Sequence, residues 1–266
     1  MASKKKQTVK KKKAVTRKKG SPSQPNGLKK QPTSKTGTKK RATKADHSEQ
    51  VTLKLKREPY FATYIYVVDL PNGTQVSAGL VSSILNLRKN NPKGIVKSNV
   101  KRLGAWHSVD NLEKQDDFDE LSAYILASAQ EVFNNLGYRK NTHPIITNMW
   151  ANISPRYGFN QVHTHPGAIW SGVYYVQAPP ESGKIFFLDP RAQASVINIL
   201  YEKGQPKKTE VLSRIFFEPK VGRLLLFPSW LQHEVQPNLS ELEGEKGERI
   251  SISFNIRQSS SNNSKK

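Results

Sequence analysis

The chain has no cysteine, which excludes disulfide stapling and every thiolate-based metal or nucleophile chemistry, and suits a reducing compartment. It has no run of eighteen apolar residues, and its basic start is not followed by an apolar stretch, so neither a membrane span nor a secretory leader is expected. The expected location is cytoplasmic, with no membrane partner. Acidic residues are missing from positions 1–45, which hold seventeen Lys or Arg and account for most of the formal net charge of +22. Large apolar residues are scarce there too, and no aromatic precedes Tyr60. Such a composition cannot bury enough surface to offset the entropy of ordering it, so residues 1–47 are expected to form a disordered, Lys-rich basic tail. A lysine-rich arm attracts phosphate backbones through counterion release, which leaves nonspecific, salt-sensitive nucleic-acid contact through residues 1–45 open, alongside an acidic protein surface. Without aromatics the arm has no platform on which single-stranded bases would stack.

Beyond the tail, residues 48–258 are long enough for one domain with a substantial core, and residues 259–266 form a short polar tail expected to be disordered. The stretch 53–70 reads as strand material. A helix is predicted over 75–89, ended by Asn90-Asn91-Pro92. Phe118, Leu121, Ile125, Ala129, Val132 and Leu136 then recur at helical spacing, with acidic residues in the first turn and Gly137 where a C-cap belongs. After Asn141 the pattern changes to short strands near 146–153, 159–165, 170–178, 184–188, 195–200, 211–218, 222–227, 232–236 and 248–257, separated by Pro, Gly and Asn. Many antiparallel strands preceded by two helices predict a mainly β fold, a double-sheet jelly roll braced by two N-terminal α-helices.

Chemistry concentrates in three of these strands. In His163-Thr164-His165 the two imidazoles are one residue apart, so in an extended strand they share a face and can reach one ion. His233 opens a short segment after the apolar run Leu224–Phe227 and the break at Pro228-Ser229. In the last strand Ile250, Ile252, Phe254 and Ile256 alternate with Arg249, Ser251, Ser253 and Asn255, which projects Arg249 and Ser251 together. Neutral imidazoles suit iron, zinc, copper or nickel. A guanidinium fork beside a hydroxyl suits a carboxylate, and hence a dicarboxylate cosubstrate.

These segments resemble a known family. NMWANISP, HTHPGAIWSGVYYVQAP, SGKIFFLDPR, GRLLLFPSWLQHEVQPN and ERISISFN, in that order from Asn148 to Asn255, are similar to the iron(II)- and 2-oxoglutarate-dependent oxygenases of the prolyl-hydroxylase-like branch. They resemble more closely a group of that superfamily found in bacteria and their phages, and upstream LGAWHS is also similar. The resemblance implies a double-stranded β-helix with iron(II) and 2-oxoglutarate as cofactors. It also implies reaction with O2 and an unidentified substrate. Carried over by position, His163 and His233 match the metal-binding histidines, and Arg249, within Arg249-Ile250-Ser251, matches the residue that binds the distal carboxylate of 2-oxoglutarate. One position departs: the family's first motif is His-x-Asp or His-x-Glu, and His165 stands at its second place. Three arrangements follow, with His165 as a ligand, with a two-histidine site completed by water or an anion, or with a carboxylate such as Asp189 arriving from another strand. His165 is the favoured ligand, because it shares a face with His163. Asn152, Trp170, Tyr174, Tyr175 and Asp189 are candidate pocket-lining residues.

Three function classes fit this reading. The leading one is an iron(II)/2-oxoglutarate-dependent dioxygenase that hydroxylates its substrate. The second is a cupin-like metal enzyme that does not use 2-oxoglutarate. The third is a nonenzymatic nucleic-acid- or assembly-binding protein with a degenerate metal site. The acidic stretch Glu241–Glu245 lies between His233 and Arg249, where a pocket border or lid is a further expectation.

Overall fold

A computed structural model describes residues 54–98 and 103–260. The chain divides into two units, residues 1–57 and 58–266. Only 54–57 of the first unit are described, and the expected disorder of the 1–47 tail lies outside the described residues. In the second unit the elements run β1 (Tyr66–Asp69), α1 (Gly73–Asn90), β2 (Trp106–His107), α2 (Asp119–Asn135), β3 (Thr142–Ser154), β4 (Asn160–His163) and β5 (Trp170–Gln177). They continue through β6 (Ile185–Leu188), the one-turn α3 (Ala192–Ser195), β7 (Arg214–Phe217), β8 (Arg223–Pro228), β9 (His233–Val235) and β10 (Arg249–Ser260).

The strands form two antiparallel sheets. The larger has the order β1-β8-β5-β10-β3-β2 and the smaller β4-β9-β6-β7. From β3 onward successive strands alternate between the sheets, except that β6 and β7 pair with each other, as in a double-stranded β-helix. Period-two patterning divides the large sheet's side chains between two cores. Ile250, Ile252, Phe254 and Ile256 of β10, Met149, Ala151 and Ile153 of β3, and Leu224 and Leu226 of β8 pack against α1 and α2. The opposite parity, Val173, Tyr175, Leu225 and Phe227, meets Ile185 and Phe187 of the small sheet inside the barrel. α1 contributes Val76, Leu80 and Ile84 to the outer core, and α2 contributes Leu121, Ile125, Ala129, Val132 and Phe133. Gly137, at φ +69°, follows α2 in the left-handed conformation that closes a helix.

Several expected elements differ. Among the described residues of 53–70, only Tyr66–Asp69 pairs, against Arg223–Leu226 of β8. The strand expected at 195–200 does not form: α3 occupies the start, and Val196 and Leu200 are 82% and 91% exposed. β6, which precedes it, already has β7 on one side and β9 on the other, so the segment cannot pair with β6. The polar tail expected from residue 259 begins two residues inside β10, which pairs through Ser260 with Thr142; residues 261–266 lie outside the described ones.

Candidate functional site

The three histidines meet because of register. β4 and β9 are antiparallel neighbours with His163 directly opposite His233, and β6 sets Phe187 against the other side of His233. His165 lies just past β4, where its N–H bonds the Ser229 carbonyl at 2.9 Å and ties the 164–169 turn to the turn before β9. One potential ligand atom from each imidazole lies within 4.8 Å of the others, and His165 Nε2 is 3.3 Å from His233 Nε2. Two nitrogens each about 2.1 Å from one ion stand roughly 3 to 3.4 Å apart at octahedral or tetrahedral angles. Among the described residues this is the one group of His, Cys, Asp or Glu placed to hold a metal ion.

The backbone orients the rings. His163 Nδ1 is 2.7 Å from the Gln161 carbonyl and His233 Nδ1 is 2.9 Å from the Leu231 carbonyl. Only a protonated Nδ1 can donate to a carbonyl, so each ring is left with a lone pair on Nε2, the tautomer a metal requires. Burial lowers the pKa of all three, that of His165 to about 4 and that of His233 to about 3, with His163 adding to the shift of both. The rings are therefore neutral donors at neutral pH. Trp150, on the same face of β3 as Asn152, tilts against His165 with centroids 5.7 Å apart and stacks on the buried His107 at 5.5 Å.

The same cavity is lined by Asn152, Tyr175, Ser251, Ser253 and Arg249. Ser251 pairs with Asn152 on one side and Tyr175 on the other, so these three form one row across β3, β10 and β5. Arg249 is only 2% exposed. Its Nη1 donates to the carbonyls of Ser182, Gln236 (3.2 Å) and Gly183 (3.4 Å), and its Nη2 to Ser154 Oγ at 3.1 Å. Among the described residues no carboxylate pairs with it. Burial brings its pKa down to about 10, which still leaves it charged. Gly183 makes this cradle possible: a Cβ there would lie 2.8 Å from Arg249 Nη1, and its φ of +89° is strained for any other residue. Burial pushes the Tyr175 hydroxyl up to about 12, a shift that Arg249 opposes.

Three candidate lining residues lie elsewhere. Tyr174 points to the helices, where its hydroxyl donates to the Gly73 carbonyl at 3.0 Å and bonds Ser77 Oγ. Trp170 packs edge-on to Tyr66 and donates to the Tyr138 hydroxyl. Asp189 is held by the guanidinium of Arg191 at 2.9 Å in a turn, away from the cavity. The 241–245 stretch does not border the cavity either. Glu245 and Glu248 are clamped by Arg88 of α1, and Gln177 donates to both of their carbonyls. Trp150, Ser253, Ser182 and Gly183 were not among the residues expected at the site. Trp150 and Ser253 carried a usable signal, parity with Asn152 on β3 and with Ser251 on β10.

Residues 148–255, from within β3 to within β10, match the family described as "Putative 2OG-Fe(II) oxygenase". No curated protein matches this chain. Among solved structures, the epimerase SnoN in complex with Fe3+, alpha ketoglutarate and nogalamycin RO is 11% identical, with a TM-score of 0.51 over 74% of this chain and 81% of that one. A Pseudomonas putida prolyl-4-hydroxylase is 15% identical, with a TM-score of 0.49 over 73% and 92%. The likeness to SnoN shows a shared double-stranded β-helix fold. No described helix is long and apolar enough to cross a membrane.

Proposed function

We propose that this protein is an iron(II)- and 2-oxoglutarate-dependent hydroxylase, with the metal held by His163, His165 and His233 and the distal carboxylate of 2-oxoglutarate held by Arg249 and Ser251. The observation that carries this reading is the pairing, on one cavity, of three facing neutral imidazoles with a buried guanidinium that has no carboxylate partner among the described residues. Buried charges are paired as a rule. Here the partner is supplied by the cosubstrate.

The donor set fits the ion. Iron(II) takes imidazole nitrogen readily, and three ligands leave positions open for exchange. His165 fills the place a carboxylate holds in the family motif. Asp189, the alternative, is engaged by Arg191. When bound, iron(II) supplies redox chemistry in which 2-oxoglutarate and O2 yield succinate and CO2 while a substrate C–H bond becomes C–OH. The chain's own residues do the placing. The carbonyls of Gln161 and Leu231 hold the Nδ1 protons of His163 and His233, so that their lone pairs converge. Arg249 fixes one end of the dicarboxylate with charge-assisted bonds. Phe227, Val173 and Ile185 form an apolar wall that limits water.

Anaerobic reconstitution with iron(II) and 2-oxoglutarate, followed by exposure to oxygen, tests the reading. Succinate should accumulate slowly without substrate, and not at all with zinc, which has no redox chemistry. Tight metal binding with no succinate would favour a cupin-like enzyme that does not use 2-oxoglutarate.

A further inference from the structure

We infer that Asn238 is a positioning residue for Arg249: its buried side chain locks together the segments that cradle the guanidinium, and so sets the affinity for the anion bound there. The inference rests on the assignment of 2-oxoglutarate to Arg249.

Asn238 lies in the connection between β9 and β10, outside every helix and strand, and is fully buried. All the bonds of its side chain go to backbone. Nδ2 donates to the Ser154 carbonyl at 2.9 Å and to the Gly247 carbonyl at 2.7 Å, and Oδ1 accepts from the Ser240 N–H at 3.0 Å. Its backbone adds two bonds, accepting from the Tyr157 N–H at 2.7 Å and donating to the Gly158 carbonyl at 3.0 Å. The side-chain amide thus ties the end of β3 to the residue two before Arg249, and the backbone of the same residue holds the 157–158 turn.

Those attachment points are the cradle itself. Ser154, whose carbonyl Asn238 holds, pairs with Arg249 across β3 and β10 and accepts from Arg249 Nη2 through its hydroxyl. Gln236, two residues before Asn238, accepts from Nη1 through its carbonyl. The next residue, Leu239, donates to the Glu181 carbonyl at 2.8 Å, which holds the chain against the segment supplying the Ser182 and Gly183 carbonyls. A guanidinium presents donors in a rigid fork, so recognising a carboxylate through two bonds depends on where that fork points. Without the Asn238 amide, the Ser154 and Gly247 carbonyls lose a buried donor and the start of β10 is released. The imidazoles, which lie on β4, β9 and the turn after β4, have no bond to Asn238.

The test compares full-length wild type, Asn238→Ala, the milder Asn238→Ser, Ser154→Ala and the double variant Asn238→Ala/Ser154→Ala. Each is titrated with 2-oxoglutarate in the nickel-loaded state, and nickel affinity is measured separately. The Arg249 Nε–H resonance is followed by nitrogen-15 NMR without cosubstrate. Asn238→Ala should weaken 2-oxoglutarate binding about tenfold or more at unchanged nickel affinity, and Asn238→Ser should weaken it less. The Arg249 resonance should shift or broaden, and the double variant should lose less than the product of the single losses, because both residues act on one group. An unchanged cosubstrate affinity and Arg249 resonance in folded Asn238→Ala or Asn238→Ser overturns the inference, as does full additivity. A wild type that binds nickel but not 2-oxoglutarate sinks the functional reading instead, and the NMR arm then decides the role of Asn238 alone.

Discussion

Acid should unfold the metal-free protein in a window set by its histidines. The pKa values of His163, His165 and His233 are depressed by burial, and so is that of His107, so the unfolded chain binds protons these rings refuse in the fold. Their contribution to stability is therefore intact above the ordinary histidine value of about 6.5 and is lost as pH falls toward the folded-state values. Each such group costs about 1.4 kcal/mol per pH unit inside its window. His165, falling to about 4, and His233, falling to about 3, together give roughly 2.7 kcal/mol per unit, with His163 and His107 adding to the upper part. A domain stable by about 5 to 15 kcal/mol loses a large share of that within about two pH units. The carboxylates act lower: Asp69, held well below the usual range by Arg223 and Lys220, gives up its contribution only as pH falls below about 4. Urea unfolding followed by tryptophan fluorescence, with chelator present, from about pH 7 to about pH 4.5, measures the slope. Saturating nickel should flatten the upper part, because the ion competes with protons for the same lone pairs. His165→Gln should reduce the slope by about 1.4 kcal/mol per unit. A stability that stays level across this window, or a slope that the variant leaves alone, refutes the reasoning.

Three further outcomes are expected. Arg249→Ala should weaken 2-oxoglutarate binding by about 2 to 5 kcal/mol, the range for breaking a buried charged pair, and leave nickel affinity in place; calorimetry showing equal loss of both would give the arginine a purely structural role. Tyr174→Phe removes the bonds to Gly73 and Ser77 and should cost about 0.5 to 1.5 kcal/mol of stability without altering metal or cosubstrate affinity; a changed affinity would move Tyr174 into the cavity. Deleting residues 1–45 should abolish any salt-sensitive binding to duplex DNA that anisotropy titrations detect, since each phosphate neutralised contributes about −0.9 to the log–log salt slope; binding that survives would place the contact on the barrel.

How much the sequence revealed depended on whether a strand has one buried face or two. β10 alternates Ile250, Ile252, Phe254 and Ile256 with Arg249, Ser251 and Ser253, so the residues facing the helices and those facing the cavity separate by period alone. β5 is buried on both faces, and there Tyr174 and Tyr175 look alike: one reaches α1 and the other lines the cavity. The 195–200 segment carries strand-forming residues, but β6 before it is already paired on both sides, which depends on sheet order rather than on local propensity. Leu188-Asp189-Pro190-Arg191 is a turn, and its side chains close on each other. The His-x-His pair, His233 and Arg249 were legible because their residue types are rare together and their spacing fits strands. The carbonyl cradle was not, because backbone acceptors from Ser182, Gly183 and Gln236 leave no mark in side-chain pattern.

X-ray absorption at the metal edge of the iron(II)- or nickel(II)-loaded protein asks directly whether three distant imidazoles share one ion. The expected spectrum contains multiple scattering from three imidazole rings bound through nitrogen at about 2.1 Å, falling to two rings in His165→Ala. Two rings and a carboxylate oxygen in the wild type, or no loss of a ring in the variant, would contradict the three-histidine site.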